Sequence, residues 1–99
     1  MNTSKTQENG RITIEIEGRL DTTTAPQLEA ELVSAFDEAE EITLDFAKLE
    51  YVSSAGLRVL LIGQKTAKAK GASIAVSNVS EDIMEVLEMT GFDDILTIV

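Results

Sequence analysis

Between Arg11 and Leu20, apolar and polar positions alternate, with Ile12, Ile14 and Ile16 set against Thr13, Glu15 and Glu17. A period of two sends successive side chains to opposite faces, so this stretch predicts a half-buried strand. Asn9-Gly10 immediately before it is a hairpin signal, because both residues tolerate the positive φ of a type I′ turn. Thr3 to Glu8 is polar throughout and predicts only a weak edge strand. The pattern changes after a loop over Gly18–Thr23. Leu28, Leu32 and Phe36 recur at helical spacing, predicting an amphipathic helix from Ala25 to about Ala39. Thr24 stands three residues before Gln27, the spacing of a capping box, and Pro26 lies in the first turn, where its missing N–H is harmless.

Alternation returns at Ile42, Leu44 and Phe46, so a strand is expected over Glu41–Phe46, followed by a short connection. From Ala55 to Ile62 the chain is apolar on most sides, with Arg58, Gln64, Lys65 and Lys68 on a narrow polar stripe. That describes a largely buried helix, and Gly71 beyond it suits a left-handed cap. Ser73–Ser77 reads as a core strand with Ile74 and Val76 inward. Ser80 heads a short helix with Glu81 and Asp82 in its first turn and Ile83 and Leu87 inward. Thr90-Gly91-Phe92 is expected to close it in a Schellman-type end, and Ile95–Val99 is expected to be a last strand. The predicted class is α/β: a single layer of mostly parallel strands with an N-terminal antiparallel hairpin. Helices should lie mainly on one face, since the inner strands alternate cleanly.

Ninety-nine residues without repeats or linker-like tracts are expected to form one domain, residues 1–99. The chain has no cysteine, which excludes disulfides and thiolate chemistry, and no histidine, which removes the usual general base and metal ligand. No lysine is placed to activate a serine, and Gly18 and Gly56 stand alone instead of forming a phosphate-binding loop. Clustered Glu38, Glu40 and Glu41, or Asp93 and Asp94, lack the spacing of a cation loop. No enzyme, cofactor or metal is therefore expected. The net charge of −10 disfavours nucleic acid. No stretch approaches the roughly 18–20 apolar residues of a membrane helix, so neither membrane nor nucleic acid is an expected partner, and a cytoplasmic location is expected.

The chemistry concentrates in Tyr51-Val52-Ser53-Ser54-Ala55-Gly56-Leu57. Two serines fall where a strand region turns into a helix, a place where backbone N–H groups lack partners and a hydroxyl or phosphate is well accommodated. In the plainest reading, one of Ser53 and Ser54 simply caps the helix, worth ~1 kcal/mol over alanine.

The wider pattern resembles the STAS family, named after sulfate transporters and anti-sigma factor antagonists. Gly18-Arg19-Leu20-Asp21-Thr22-Thr23-Thr24-Ala25, Leu44-Asp45-Phe46 with Leu49, the serine segment and Thr90-Gly91-Phe92 carry the likeness, which runs from about Ile12 to Val99. It looks closest to stand-alone bacterial anti-anti-sigma factors. The resemblance implies a partner switch, in which the unphosphorylated domain binds an anti-sigma factor that is also a serine kinase, and phosphate breaks the complex. Ser54 matches the phosphorylated serine, with Ser53 as the alternative acceptor. Ser53 stands where the family often has aspartate, and Ala55 where it often has Ser or Thr. By the same resemblance, Asp21, Thr22, Thr23, Ser53, Ser54, Ala55, Gly56 and Arg58 form the partner-binding surface, on a chain that is a monomer when free. The other role the family allows is a non-switching adaptor, either a small subunit of a lipid-transport ATPase or a module of a larger signalling assembly.

Overall fold

The computed structural model describes residues 1–99. Strand β1 (Asn2–Glu8) pairs antiparallel with β2 (Arg11–Leu20), and helix α1 (Ala25–Glu38) leads to β3 (Glu41–Val52). Helix α2 (Ser54–Lys70), β4 (Ser73–Ser77), α3 (Glu81–Thr90) and a 3-10 turn at Phe92–Asp94 complete the chain. The sheet runs β1-β2-β3-β4, and both inner pairings are parallel. Asn9 and Gly10 both have positive φ, 50° and 78°, as a type I′ hairpin requires. The polar stretch at the N-terminus is a full seven-residue strand, held by backbone pairing to β2 although most of its side chains are exposed.

Parallel registration stacks the alternating residues into rows. Ile12, Ile42 and Ile74 are cross-strand partners, as are Ile14, Leu44 and Val76, and all six are buried. Leu28, Leu32 and Phe36 of α1, Leu57, Leu60 and Ala67 of α2, and Ile83 and Leu87 of α3 close over that face in one cluster. Each buried Val, Leu, Ile or Phe side chain of the cluster contributes about 1.5–3 kcal/mol by leaving water. The opposite face carries half-buried Thr13, Thr43 and Ala75, and no helix covers it. No helix is long and apolar enough to cross a membrane.

Five expectations need correction. Strand β3 does not stop at Phe46 but continues to Val52. Two register shifts against β2 each insert an extra residue, so the buried positions go from every second residue to every third: Phe46, Leu49, Val52. The Asp45 carboxylate stabilises the first of these bulges, accepting from the Ala47 amide at 2.9 Å and from Asn78 Nδ2 at 3.0 Å. The capping box of α1 is absent. Thr24 is the N-cap, but its hydroxyl makes no cap bond; it is turned back into the preceding loop. The last strand shrinks to a single parallel bridge, Ile98 to Val76, because the turn at Phe92–Asp94 and the buried Leu96 use most of the tail. Helix α2 is less buried than its composition suggests, with Leu61 and Ile62 half-exposed. Its end has the Schellman pair, Ala72 N–H to Ala67 O at 2.8 Å and Gly71 N–H to Lys68 O at 3.4 Å. At α3 the αL residue Gly91 donates to Leu87 and Glu88 instead, the simpler form of the same stop.

Candidate functional site

The sheet topology brings the two segments of interest together. Leu20 and Val52 are register partners at the carboxyl ends of the parallel strands β2 and β3, so the loop after β2 and the start of α2 emerge side by side. Open parallel sheets offer binding positions at this end of their strands. A backbone bond from Ser53 N–H to Leu20 O, 2.9 Å, ties the two segments directly.

Asp21 organises its loop as an Asx turn. Its Oδ1 accepts from the Thr23 hydroxyl at 2.8 Å, the Thr23 amide at 3.0 Å and the Thr24 amide at 3.2 Å. The Thr24 hydroxyl accepts from the Asp21 amide at 2.8 Å and donates to Arg19 O at 2.8 Å, which is why it cannot cap α1. The Thr23 hydroxyl, with the Thr23 and Thr24 amides, holds the Asp21 carboxyl below its ordinary pKa against a smaller opposing effect of desolvation. A carboxylate with a lowered folded pKa contributes its order above the unfolded value and loses it as pH falls through the folded one. In an NMR titration, the Thr23 and Thr24 amides should therefore shift with a midpoint below the usual carboxylate range, and Thr23→Ala should move that midpoint upward. An unmoved midpoint would show that the hydroxyl is not what holds the charge.

The two serines have different jobs. Ser53 is the N-cap of α2, extended in backbone, and its hydroxyl accepts from the Gly56 amide at 3.3 Å. Ser54 is the first helical residue; it is exposed, and its hydroxyl makes no hydrogen bond to the protein. Ser53→Ala should cost about 1 kcal/mol, or 4–8 °C in melting temperature, while Ser54→Ala should stay within about 0.5 kcal/mol of wild type. Calorimetry on the two variants checks this, and equal losses would contradict the division of labour.

Gly56 is the residue that lets α2 sit against the end of β2. A Cβ there would lie 2.7 Å from Leu20 Cγ, 2.9 Å from Leu20 O and 2.9 Å from Val52 Cγ2. Its place in the site is therefore steric, underneath the serines. Thr22, Ala55 and Arg58 line one groove of about 220 Å³ with Ala25, Pro26, Glu29 and Val59, between the first turns of α1 and α2. The expected surface thus has an exposed part (Thr22, Thr23, Ser54, Arg58), half-buried Asp21, Ser53 and Ala55, and buried Gly56.

Sequence reading missed one neighbour. Arg19 and Tyr51 are cross-strand partners on the side opposite the core, and the guanidinium lies 4.1 Å from the ring centroid. The same Arg19 approaches the Asp21 carboxylate, Nε to Oδ2 3.7 Å, so this pair borders the Asp21 loop. The extended β3 creates the pairing, and that extension was hidden by the change of period.

Comparison with known proteins agrees with this fold. The anti-sigma-B factor antagonist of Bacillus subtilis is 29% identical over 98 residues, covering 99% of this chain and 90% of that protein. BtrV of Bordetella bronchiseptica, provisionally described as an anti-sigma factor antagonist, is 36% identical over 78 residues, covering 78% of this chain and 67% of BtrV. Among solved structures, the anti-sigma factor antagonist SpoIIAA in its unphosphorylated form has a TM-score of 0.79 at 18% identity, over 99% of this chain and 87% of that one. Bacillus SpoIIAA in its phosphorylated form scores 0.76 at 18% identity, over 99% and 91%. At that identity the likeness concerns the fold. Residues 3–98 match the family described as "Mlab, STAS domain", and the chain belongs to the STAS domain family.

Proposed function

We propose that this protein is an anti-sigma factor antagonist: its unphosphorylated form binds an anti-sigma factor with serine kinase activity, and a phosphate on Ser54 releases it. The observation that carries the reading is the free, exposed hydroxyl of Ser54 at the start of α2, beside the Asp21 loop, while the Ser53 hydroxyl is engaged as the cap. The amides of Ser54 and Ala55 make no intrahelical bonds, and the positive end of the helix tolerates an anion. Relatives named as antagonists support the general role, and SpoIIAA, which has this fold, exists in phosphorylated and unphosphorylated forms. On this reading the chain is a binding protein, not an enzyme, and is monomeric when free.

The test is incubation of the purified protein with candidate anti-sigma kinases and ATP, followed by mass spectrometry. Phosphate on Ser54, with loss of the complex, is the expected result. Phosphate confined to other residues, with binding intact, would overturn the switch, and a stable complex never phosphorylated would favour a non-switching adaptor.

A further inference from the structure

The charges of this chain are sharply segregated. All eighteen acidic residues lie outside residues 51–80, and that segment carries four cations, Arg58, Lys65, Lys68 and Lys70, all on α2. Lys70 is held by Asp37 of α1 at 2.9 Å, but Arg58, Lys65 and Lys68 are exposed and form no ion pair. Helical spacing lines up Ser54, Arg58, Leu61, Lys65 and Lys68, each three or four residues from the next, on one face. The cations span about 15 Å along the axis at 1.5 Å per residue. Between them lie Leu61 and its neighbour Ile62, both half-exposed.

We propose that this face of α2 is a docking strip for an acidic amphipathic helix of the protein partner. Three uncompensated cations on a protein of net charge −10 are complementary to carboxylates and to little else on its own surface. A straight strip with a central aliphatic pair and cations above and below matches a helix that offers an apolar anchor between acidic residues a turn or two apart. A broad anionic plane such as a membrane fits poorly, because Glu29 shares a groove with Arg58 and Asp37 pairs with Lys70, so a plane would also meet these α1 carboxylates, whereas a single helix can lie along the strip alone. The strip starts at Ser54, so a phosphate there stands one turn from Arg58 and competes with the partner's carboxylates for it. The proposal rests on the antagonist reading only for the identity of the partner.

The experiment compares binding of the anti-sigma kinase to wild type and to Lys65→Glu/Lys68→Glu, two positions remote from the serines, with circular dichroism confirming the fold. The double variant should bind at least tenfold more weakly in low salt, and the difference should shrink to about threefold or less near 0.5 M salt, where screening reaches within about 4 Å. Equal binding of the two proteins would overturn the strip while leaving the antagonist reading intact. If wild type does not bind the kinase at all, the antagonist reading fails, and the strip is then tested with a labelled helical peptide carrying Glu residues around a central Leu. Shifts confined to the α2 face, lost in the double variant, support it. No shift, or stronger retention on phosphatidylglycerol vesicles than on the peptide, overturns it.

Discussion

Gly56→Ala is expected to lower the melting temperature by roughly 8–16 °C, whereas Gly63→Ala, two turns further along the same helix, should change it little. Both glycines are buried in α2, and alanine is intrinsically the better helix former by about 1 kcal/mol at either position. What separates them is the neighbour a methyl group would meet. At Gly63 the nearest atoms are the methyl ends of Ile74 and Leu32, at 3.1 and 3.2 Å, which can give way by small side-chain rotations. At Gly56 they include the carbonyl oxygen of Leu20 at 2.9 Å, and that carbonyl is fixed by the bond from Ser53 N–H. The first turn of α2 must therefore lift away from β2, breaking the bond that joins the two halves of the site. Overpacking against a fixed backbone atom belongs at the upper end of the usual range, about 3 kcal/mol, of which the helix preference returns about 1 kcal/mol. Thermal unfolding of both variants, with partner affinity measured on whatever stays folded, is the check. A Gly56→Ala protein as stable as wild type would mean that the helix is not seated by this contact.

Phosphorylation of Ser54, or its imitation by Ser54→Glu, should weaken partner binding about a thousandfold for the phosphate while leaving the core unchanged. A phosphate adds a charge of about −1.5 to −2 at the positive end of α2, where an anion is favoured by about 0.3–1 kcal/mol. Since Ser54 is exposed and its hydroxyl has no partner to lose, the fold bears no cost. The cost falls on the complex, where a hydrated dianion must be desolvated or accommodated, and ~4 kcal/mol corresponds to three decades of affinity. Titration calorimetry with the anti-sigma factor measures the loss. Amide spectra should change only around the Asp21 loop, the end of β3 and the first turns of α2. Shifts spreading through the Ile12–Ile42–Ile74 row would replace a local switch with refolding.

Where one rule governed a segment, the sequence was readable. The Asn9-Gly10 turn, the even-numbered isoleucines of β2, the Ser80 cap and the left-handed stops at Gly71 and Gly91 each follow from a single local preference, and all are present. Misreadings arose where two requirements compete for one residue. Thr24 has the spacing of a cap, yet Arg19 O and the Asp21 amide claim its hydroxyl, a contest that depends on how the loop folds back. Strand β3 keeps pairing through two bulges that erase its period, so the second half looked like a connection. The candidate site was legible as a serine pair, in which resemblance singled out Ser54 but local residue preferences left open which serine caps the helix. The backbone geometry decides the cap: the Ser53 hydroxyl accepts from the Gly56 amide, while Ser54 is exposed. Gly56 read as an isolated glycine because its constraint comes from Leu20, far away in the chain.

The short bridge at the C-terminus has a consequence for how this domain can meet other proteins. Val76 N–H donates to Thr97 O at 2.8 Å, and Val76 O accepts from Val99 N–H at 2.9 Å, so the chain's own tail satisfies the outer rim of β4 where that strand is most apolar. The other rim is β1, whose outward polarity and central Lys5 discourage a visiting strand. Neither flank is an inviting template for a β-ribbon from another molecule. Recognition by backbone zippering is thereby disfavoured, and specificity is left to side chains, whose charge a single modification can reverse.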